Sequence, residues 1–353
     1  MHRVTVRGTM RRGGVFGARR DADASYARRR RGEARGRRRA SPRRAPRATT
    51  LWVVATTLLL AALACAARWT RRTRDDAMAT TTTRTASRAF CARANPLVCA
   101  HGGDVVRGGV ARANTRDALE RSATRGARAC VEIDVARTRD GALVAMHARD
   151  VWTFTRGRVA DVGEVTLDEL MVFNEDVEDA GQRALTFRDA LRHVVGRGMA
   201  QITIDFKENP PLGGRGLAQA VLAVTRELGC DECLFWGKDD ETVREAQRLG
   251  ARRVGYTVAN YSAAVRAAGM DVISQRRVRR AEAVAVQSEM VSSALVRGAA
   301  RHKLKTHVWT VNDPERMRAV LAYGVDGVLT DNPRELYRVI AELRTQCDDR
   351  GGL

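Results

Sequence analysis

Aromatic residues make up only 5% of this 353-residue chain, and there are only six histidines. The few aromatics are not interleaved with the basic runs, and no nucleic-acid-binding module is recognisable, so the charge of +21 does not mark a nucleic-acid partner. Cys230-Asp231-Glu232-Cys233 has no second C-x-x-C and no accompanying histidine cluster, which argues against a structural zinc site and leaves a redox pair as its other reading. The charge itself is uneven. Residues 1–48 hold 17 Arg against Asp21, Asp23 and Glu33, a local net of +14, which leaves +7 for everything beyond. The body of the protein is therefore only mildly basic.

Charge is missing altogether from Ala48 to Ala67, 20 residues with L-W-V-V-A-T-T-L-L-L-A-A-L-A-C-A-A at their core. That is long enough for a helix to cross a bilayer. The expected organisation is a disordered Arg-rich segment over 1–47, a single transmembrane helix as signal anchor over 48–67, a Thr/Ala/Arg-rich linker over 68–94 and a folded domain over 95–346. The basic head outweighs the basic flank that follows the span, which puts the N-terminus in the cytosol and the domain in the lumen or outside the cell. An Arg-rich, acid-poor start also suits a plastid or mitochondrial transit peptide, and Ala64-Cys65-Ala66 a signal-peptidase site, as alternatives to an anchor.

Beyond the linker, short apolar runs alternate with helical patterns, and the abundance of Ala, Val and Leu suits an α/β barrel. Strands are expected at Val98–His101, Cys130–Val135, Gln201–Lys207, Cys233–Gly237, Arg253–Val258, Glu282–Gln287, His307–Val311 and Gly327–Thr330, with Asp271–Ser274 competing for the sixth. Helices fall between them, one opened by Asp313 as N-cap and Pro314 in its first turn. A (β/α)8 barrel closes such a pattern, with its chemistry at the carboxyl ends of the strands.

Chemistry-bearing residues gather at those ends. Glu132 and Asp134 in V-E-I-D-V lie two apart and share one strand face. Asp140-Gly141 then predicts a hairpin turn, and a ladder folding back there pairs positions whose numbers sum to roughly 280, bringing His147 beside Asp134. His101 ends the first strand, and Asp205 and Lys207 share a face on the third. Three acids in one small site repel one another unless a divalent cation neutralises them, so Mg2+ or Ca2+ is implied. His193, His302 and His307 fall outside these motifs and read as structural. Cys99 and Cys130, inside strands, read as small buried hydrophobes. The even number of cysteines outside the apolar segment, six, permits disulfides. Asn260-Tyr261-Ser262 forms a glycosylation sequon, in keeping with a lumenal domain.

A-H-G-G, A-N-T, V-E-I-D-V-A-R-T-R-D-G-A-L-V-A-M-H, I-D-F-K, V-W-T-V-N and G-V-D-G-V-L-T-D-N-P together resemble the glycerophosphodiester phosphodiesterase family of phospholipase C-like barrels, in particular its plant and green-algal type with H-G-G. The resemblance implies hydrolysis of a glycerophosphodiester to glycerol 3-phosphate and an alcohol, a step of glycerophospholipid metabolism. His101 and His147 would be the acid and base, Glu132, Asp134 and Asp205 the metal ligands, and Lys207 a phosphate contact. Asn114 and Trp309 would stand beside the substrate, although Trp309 equally suits barrel packing. Three departures accompany it: Gly102 stands where the family usually has Arg, Ala113 where it has Glu, and Asp205 where it has the longer Glu. A lysophospholipase D at the membrane, or a barrel that binds phosphodiesters or lipid headgroups without cleaving them, are the alternative functions.

Overall fold

A computed structural model describes residues 87–105, 111–124 and 129–351. Eight parallel strands form the barrel: β1 (Leu97–His101), β2 (Ala129–Arg137), β4 (Gln201–Phe206), β5 (Cys233–Gly237), β6 (Gly255–Val258), β7 (Ala283–Gln287), β8 (Lys305–Trp309) and β9 (Gly327–Thr330). Neighbours run β5-β4-β2-β1-β9-β8-β7-β6, and a parallel bridge between Phe235 and Val254 draws the seam together. All eight expected strands are present. Asp271–Ser274 forms no strand, and β7 lies at Ala283–Gln287.

Two-residue periodicity divides each strand between two surroundings. Val131, Ile133, Val135, Ile202, Ile204 and Phe206 face outward and pack with helix residues such as Leu119, Leu191, Leu217 and Val221 in the main core. Cys99, Cys130, Leu234, Trp236, Ala283, Ala285 and Leu329 fill the interior, where two alanines leave room for the fully buried Trp236. His307 is buried there and meets the Trp236 ring edge-on at 5.9 Å. At the other end of the barrel from the site, the Arg253 guanidinium donates to Glu282 and to Gln201 Oε1, each at 2.9 Å, and Lys305 Nζ donates to Glu282 at 2.9 Å.

The Asp140-Gly141 turn folds β3 (Leu143–Ala145) antiparallel onto β2, pairing Val135 with Ala145, Ala136 with Val144 and Arg137 with Leu143. Each pair sums to 280, the expected register. The segment beyond β3 builds a lobe with its own small core, in which Val144, Met146, Val151, Phe154, Val162 and Leu170 are buried together. Elsewhere Asp313 accepts the Arg316 N–H at 2.8 Å and caps the helix Pro314–Ala322, with Pro314 in its first turn.

Several expectations are corrected here. The folded domain starts before Asn95: a helix at Arg88–Cys91 buries Phe90, the Ser87 hydroxyl donates to Ala322 O at 2.7 Å, and Cys91 is disulfide-bonded to Cys347. Cys99 and Cys130 are buried as expected but bonded to each other, because β1 and β2 pair them directly in register. Cys230 and Cys233 also form a disulfide, which removes both thiolates as zinc ligands. Among the described residues no helix is long and apolar enough to cross a membrane. The basic segment 1–47, the expected span 48–67 and most of the linker lie outside the described residues.

The ion cluster at the barrel floor gives a signed pH prediction. Hydrogen bonds from Arg253, then from Lys305, outweigh burial and hold the Glu282 carboxyl down at about 2, against an ordinary 4.5. Its contribution is complete above about pH 4.5 and is lost as the pH falls toward 2. Glu282→Gln should cost about 1–3 kcal/mol at neutral pH by chemical denaturation, with the gap to the parent narrowing below about pH 4.5. A gap of constant size would show that the cluster is not titrating as assigned.

Candidate active site

The carboxyl ends of the strands surround a cavity of about 370 Å³ whose lining includes His101, Glu132, His147, Arg149, Asp205, Lys207, Lys238 and Trp309. In-register pairing places these side chains: β1 sets His101 beside Glu132, and β2 sets Asp134 beside Asp205 on β4. One carboxylate oxygen from each of Glu132, Asp134 and Asp205 lies within 4.8 Å of the others. Lys207 Nζ sits 2.7 Å from Asp134 Oδ1 and also pairs with Asp205.

The acids are buried, and that dominates their ionisation. Burial first, then the Asp134 charge, pushes the Glu132 carboxyl up to about 8. Burial likewise raises Asp205. At Asp134 the Lys207 ammonium and the charge on His101 overcome burial and lower the carboxyl. Two oxygens stay under-used: Asp205 Oδ1 has no hydrogen-bond donor, and Asp134 Oδ1 has the Lys207 ammonium beside it but off hydrogen-bond alignment. Hard, buried, under-satisfied oxygens this close together fit a divalent cation, with Glu132, Asp134 and Asp205 as its ligands.

The two histidines experience opposite fields. His101 Nδ1 bonds Asp331 Oδ1 at 2.8 Å, and its Nε2 stands 4.0 Å from Glu132 Oε2. Burial opposes a charge on this ring, but Glu132, Asp331 and Asp134 prevail and raise it to about 10. His147 is pushed down to about 3, by burial first and then by the Lys207 ammonium. The Arg149 guanidinium lies 2.7 Å from His147 Nε2, which makes that nitrogen the acceptor and places the ring proton on Nδ1.

Asn114 has a different position from the one expected. It is buried and does not line the cavity; its Nδ2 donates to Asp134 Oδ2 at 2.8 Å and its Oδ1 accepts the Asp134 N–H at 3.1 Å. One N–H and the oxygen of the amide orient that carboxylate, and the side chain is buried away from the cavity. Trp309 lines the cavity and also donates its indole N–H to Ala285 O at 2.9 Å, so it serves wall and packing together. Gly102 has a positive φ of 62°, and its N–H donates to Glu132 Oε2 at 3.1 Å. A Cβ there would lie 2.6 Å from the Ala113 Cβ, so this loop has no room for the arginine.

Sequence reasoning gave no role in the site to Asp331, Asn312, Arg149 or Lys238. Asn312 holds Asp331 through its side-chain amide and accepts the Asp331 N–H at 2.8 Å, so two strand ends cooperate to orient His101. Asp331 follows β9 directly, and the strand-end rule that selected His101 and Asp205 would have selected it too.

Removing the Asn114 amide by Asn114→Ala should weaken cation affinity about 10- to 100-fold, as loss of a hydrogen bond that orients a metal ligand does, while leaving the far-ultraviolet circular dichroism unchanged. Calorimetric titration with Mg2+ or Ca2+ measures this. Parent-like affinity would mean that Asp134 is held by Lys207 alone.

Comparison with known proteins covers most of the barrel. Residues 107–335 match the glycerophosphoryl diester phosphodiesterase family. The Arabidopsis thaliana protein named glycerophosphodiester phosphodiesterase GDPD4 is 32% identical over 260 residues, 72% of this chain and 76% of its own. A glycerophosphodiester phosphodiesterase of Caldanaerobacter subterraneus is 25% identical over 252 residues, 69% of this chain and 97% of its own. Solved structures share the fold: one of a glycerophosphodiester phosphodiesterase from Parabacteroides distasonis superposes with a TM-score of 0.56 at 21% identity, covering 69% of this chain and 96% of that one. An Oleispira antarctica phosphodiesterase in complex with the product sn-glycerol-3-phosphate gives 0.53 at 21% identity, covering 70% and 97%. By the extent of these matches, the chain belongs to the glycerophosphoryl diester phosphodiesterase family.

Proposed function

We infer that this chain hydrolyses glycerophosphodiesters to glycerol 3-phosphate and an alcohol, with His101 and His147 as its acid and base. The observation that carries the assignment is geometric: two histidines line one cavity with the clustered acids, His101 held at Nδ1 by the Asp331 carboxylate and His147 beside the Arg149 guanidinium. Titratable pairs whose environments push them apart divide the acid and base roles between them. His101, kept protonated and oriented by Asp331, gives its proton to the departing alcohol. His147, kept neutral, accepts the proton of the attacking hydroxyl at Nε2 once the exposed Arg149 side chain leaves that nitrogen. Mg2+ or Ca2+ held by Glu132, Asp134 and Asp205 would polarise a phosphoryl oxygen and offset developing charge. Lys207, beside two of those acids, holds positive charge against the phosphate.

Glycerophosphocholine and a lysophospholipid, each assayed with cation and with chelator, separate this reading from a lysophospholipase D and from a non-catalytic headgroup binder. His101→Ala and His147→Ala should each lower kcat about 10²- to 10⁴-fold. Full activity in His147→Ala would refute the acid/base assignment. Binding that needs no metal and leads to no turnover would refute the hydrolase itself.

The domain is further proposed to lie on the lumenal or extracellular side of a membrane, anchored by residues 48–67. Three disulfides that use all six cysteines outside the apolar segment support an oxidising compartment. Asn260 of the sequon is exposed just beyond β6. Expressed in a secretory host, the full chain should lose apparent mass on glycosidase treatment, and Asn260→Gln should not. An unglycosylated chain with titratable thiols would favour the organelle alternative.

A further inference from the structure

With the arginine position closed at Gly102, the phosphate charge has to be met from another part of the cavity wall. Among the described residues three cations line that wall besides any metal: Arg149, Lys207 and Lys238. Lys207 is buried between Asp134 and Asp205 and is committed to them. The Arg149 side chain is 70% exposed and engaged with His147 at 2.7 Å and Asp150 at 3.7 Å.

Lys238 differs from both. It follows β5 directly, and two-residue alternation continues the interior-facing series Leu234, Trp236 to Lys238. Its Nζ lies 5.4 Å from the centre of the Tyr261 ring, and no carboxylate of the described residues lies within ion-pair distance of it. Tyr261 lines the same cavity and is half exposed, so the ring steers the ammonium along the wall without neutralising it.

We propose that Lys238 is a second phosphate-contacting cation, supplied by the end of β5 in place of the arginine that the Gly102 loop excludes. The proposal rests on the phosphodiesterase reading. A lysine serves here as a point charge on a flexible arm, whereas an arginine would grip two oxygens at once. The contact is to the phosphate, so it is common to all substrates and also to the product glycerol 3-phosphate.

The test compares Lys238→Gln and Lys238→Arg with the parent protein. Lys238→Gln should lower kcat/KM about 10- to 100-fold, the worth of one charged hydrogen bond, and equally for glycerophosphocholine and glycerophosphoserine. Calorimetric affinity for glycerol 3-phosphate should fall by a similar factor, Lys238→Arg should recover most of both losses, and the melting temperature should not move because the side chain is exposed. A loss confined to glycerophosphoserine would show that Lys238 reads the headgroup carboxylate, and unchanged affinity for glycerol 3-phosphate would show that it misses the phosphate; either overturns the proposal. If the parent binds glycerol 3-phosphate but cleaves neither diester, the phosphodiesterase reading fails while the binding arm still judges Lys238.

Discussion

Three carboxylates and one ammonium packed into the mouth of the barrel set the constraint that the other site residues answer to. Glu132 and Asp134 are buried, Asp205 nearly so, and one Lys207 cannot neutralise three acids. Charges taken out of water at this density oppose folding unless partners or protons are found for them. The surroundings show how far the chain supplies partners: the Gly102 N–H serves Glu132, the Asn114 amide serves Asp134, and Lys207 bridges Asp134 and Asp205. The remaining deficit raises Glu132 and leaves Asp205 Oδ1 without a donor. A dication would supply what is missing, and burial that disfavours folding would then become affinity for the metal.

The same constraint reaches the histidines through distance. His101 lies against Glu132 and Asp331 and feels mostly negative charge, while His147 comes back along the hairpin on the side of Lys207, Arg149 and Lys238. The charges around each ring are thereby set by which strand it arrives on. The lobe beyond β3 contributes by fixing that return: the residues flanking His147, Met146 and Ala148, are buried in its small core.

Legibility followed the physics of strands. Parity within V-E-I-D-V and I-D-F-K, the hairpin sum of 280 and the strand-end rule placed His101, Glu132, His147, Asp205 and Lys207 around one cavity with Asp134 beside them, and periodicity placed all eight strands. What depends on register between strands, or on closure of the barrel, was hidden. The Cys99–Cys130 disulfide needs the β1–β2 pairing, and the Asp331–His101 contact needs β9 to close beside β1. Asn114 was legible as part of the site, but a sequence does not tell whether an amide faces substrate or turns back to a carboxylate. Phe90 and Cys91 sit in Thr/Ala/Arg-rich surroundings that resemble a linker, and only their distant partners make them part of the fold.

The account is tested most directly by melting the cation-free and cation-loaded domain alongside Glu132→Gln. If burial of unneutralised acids is the governing constraint, cation raises the melting temperature of the parent. Glu132→Gln keeps an acceptor for the Gly102 N–H and, above about pH 8 where Glu132 is ionised, removes one like charge; there it should melt higher than the parent without cation and respond little when cation is added. A parent indifferent to cation, together with a Glu132→Gln variant that melts lower, would contradict it.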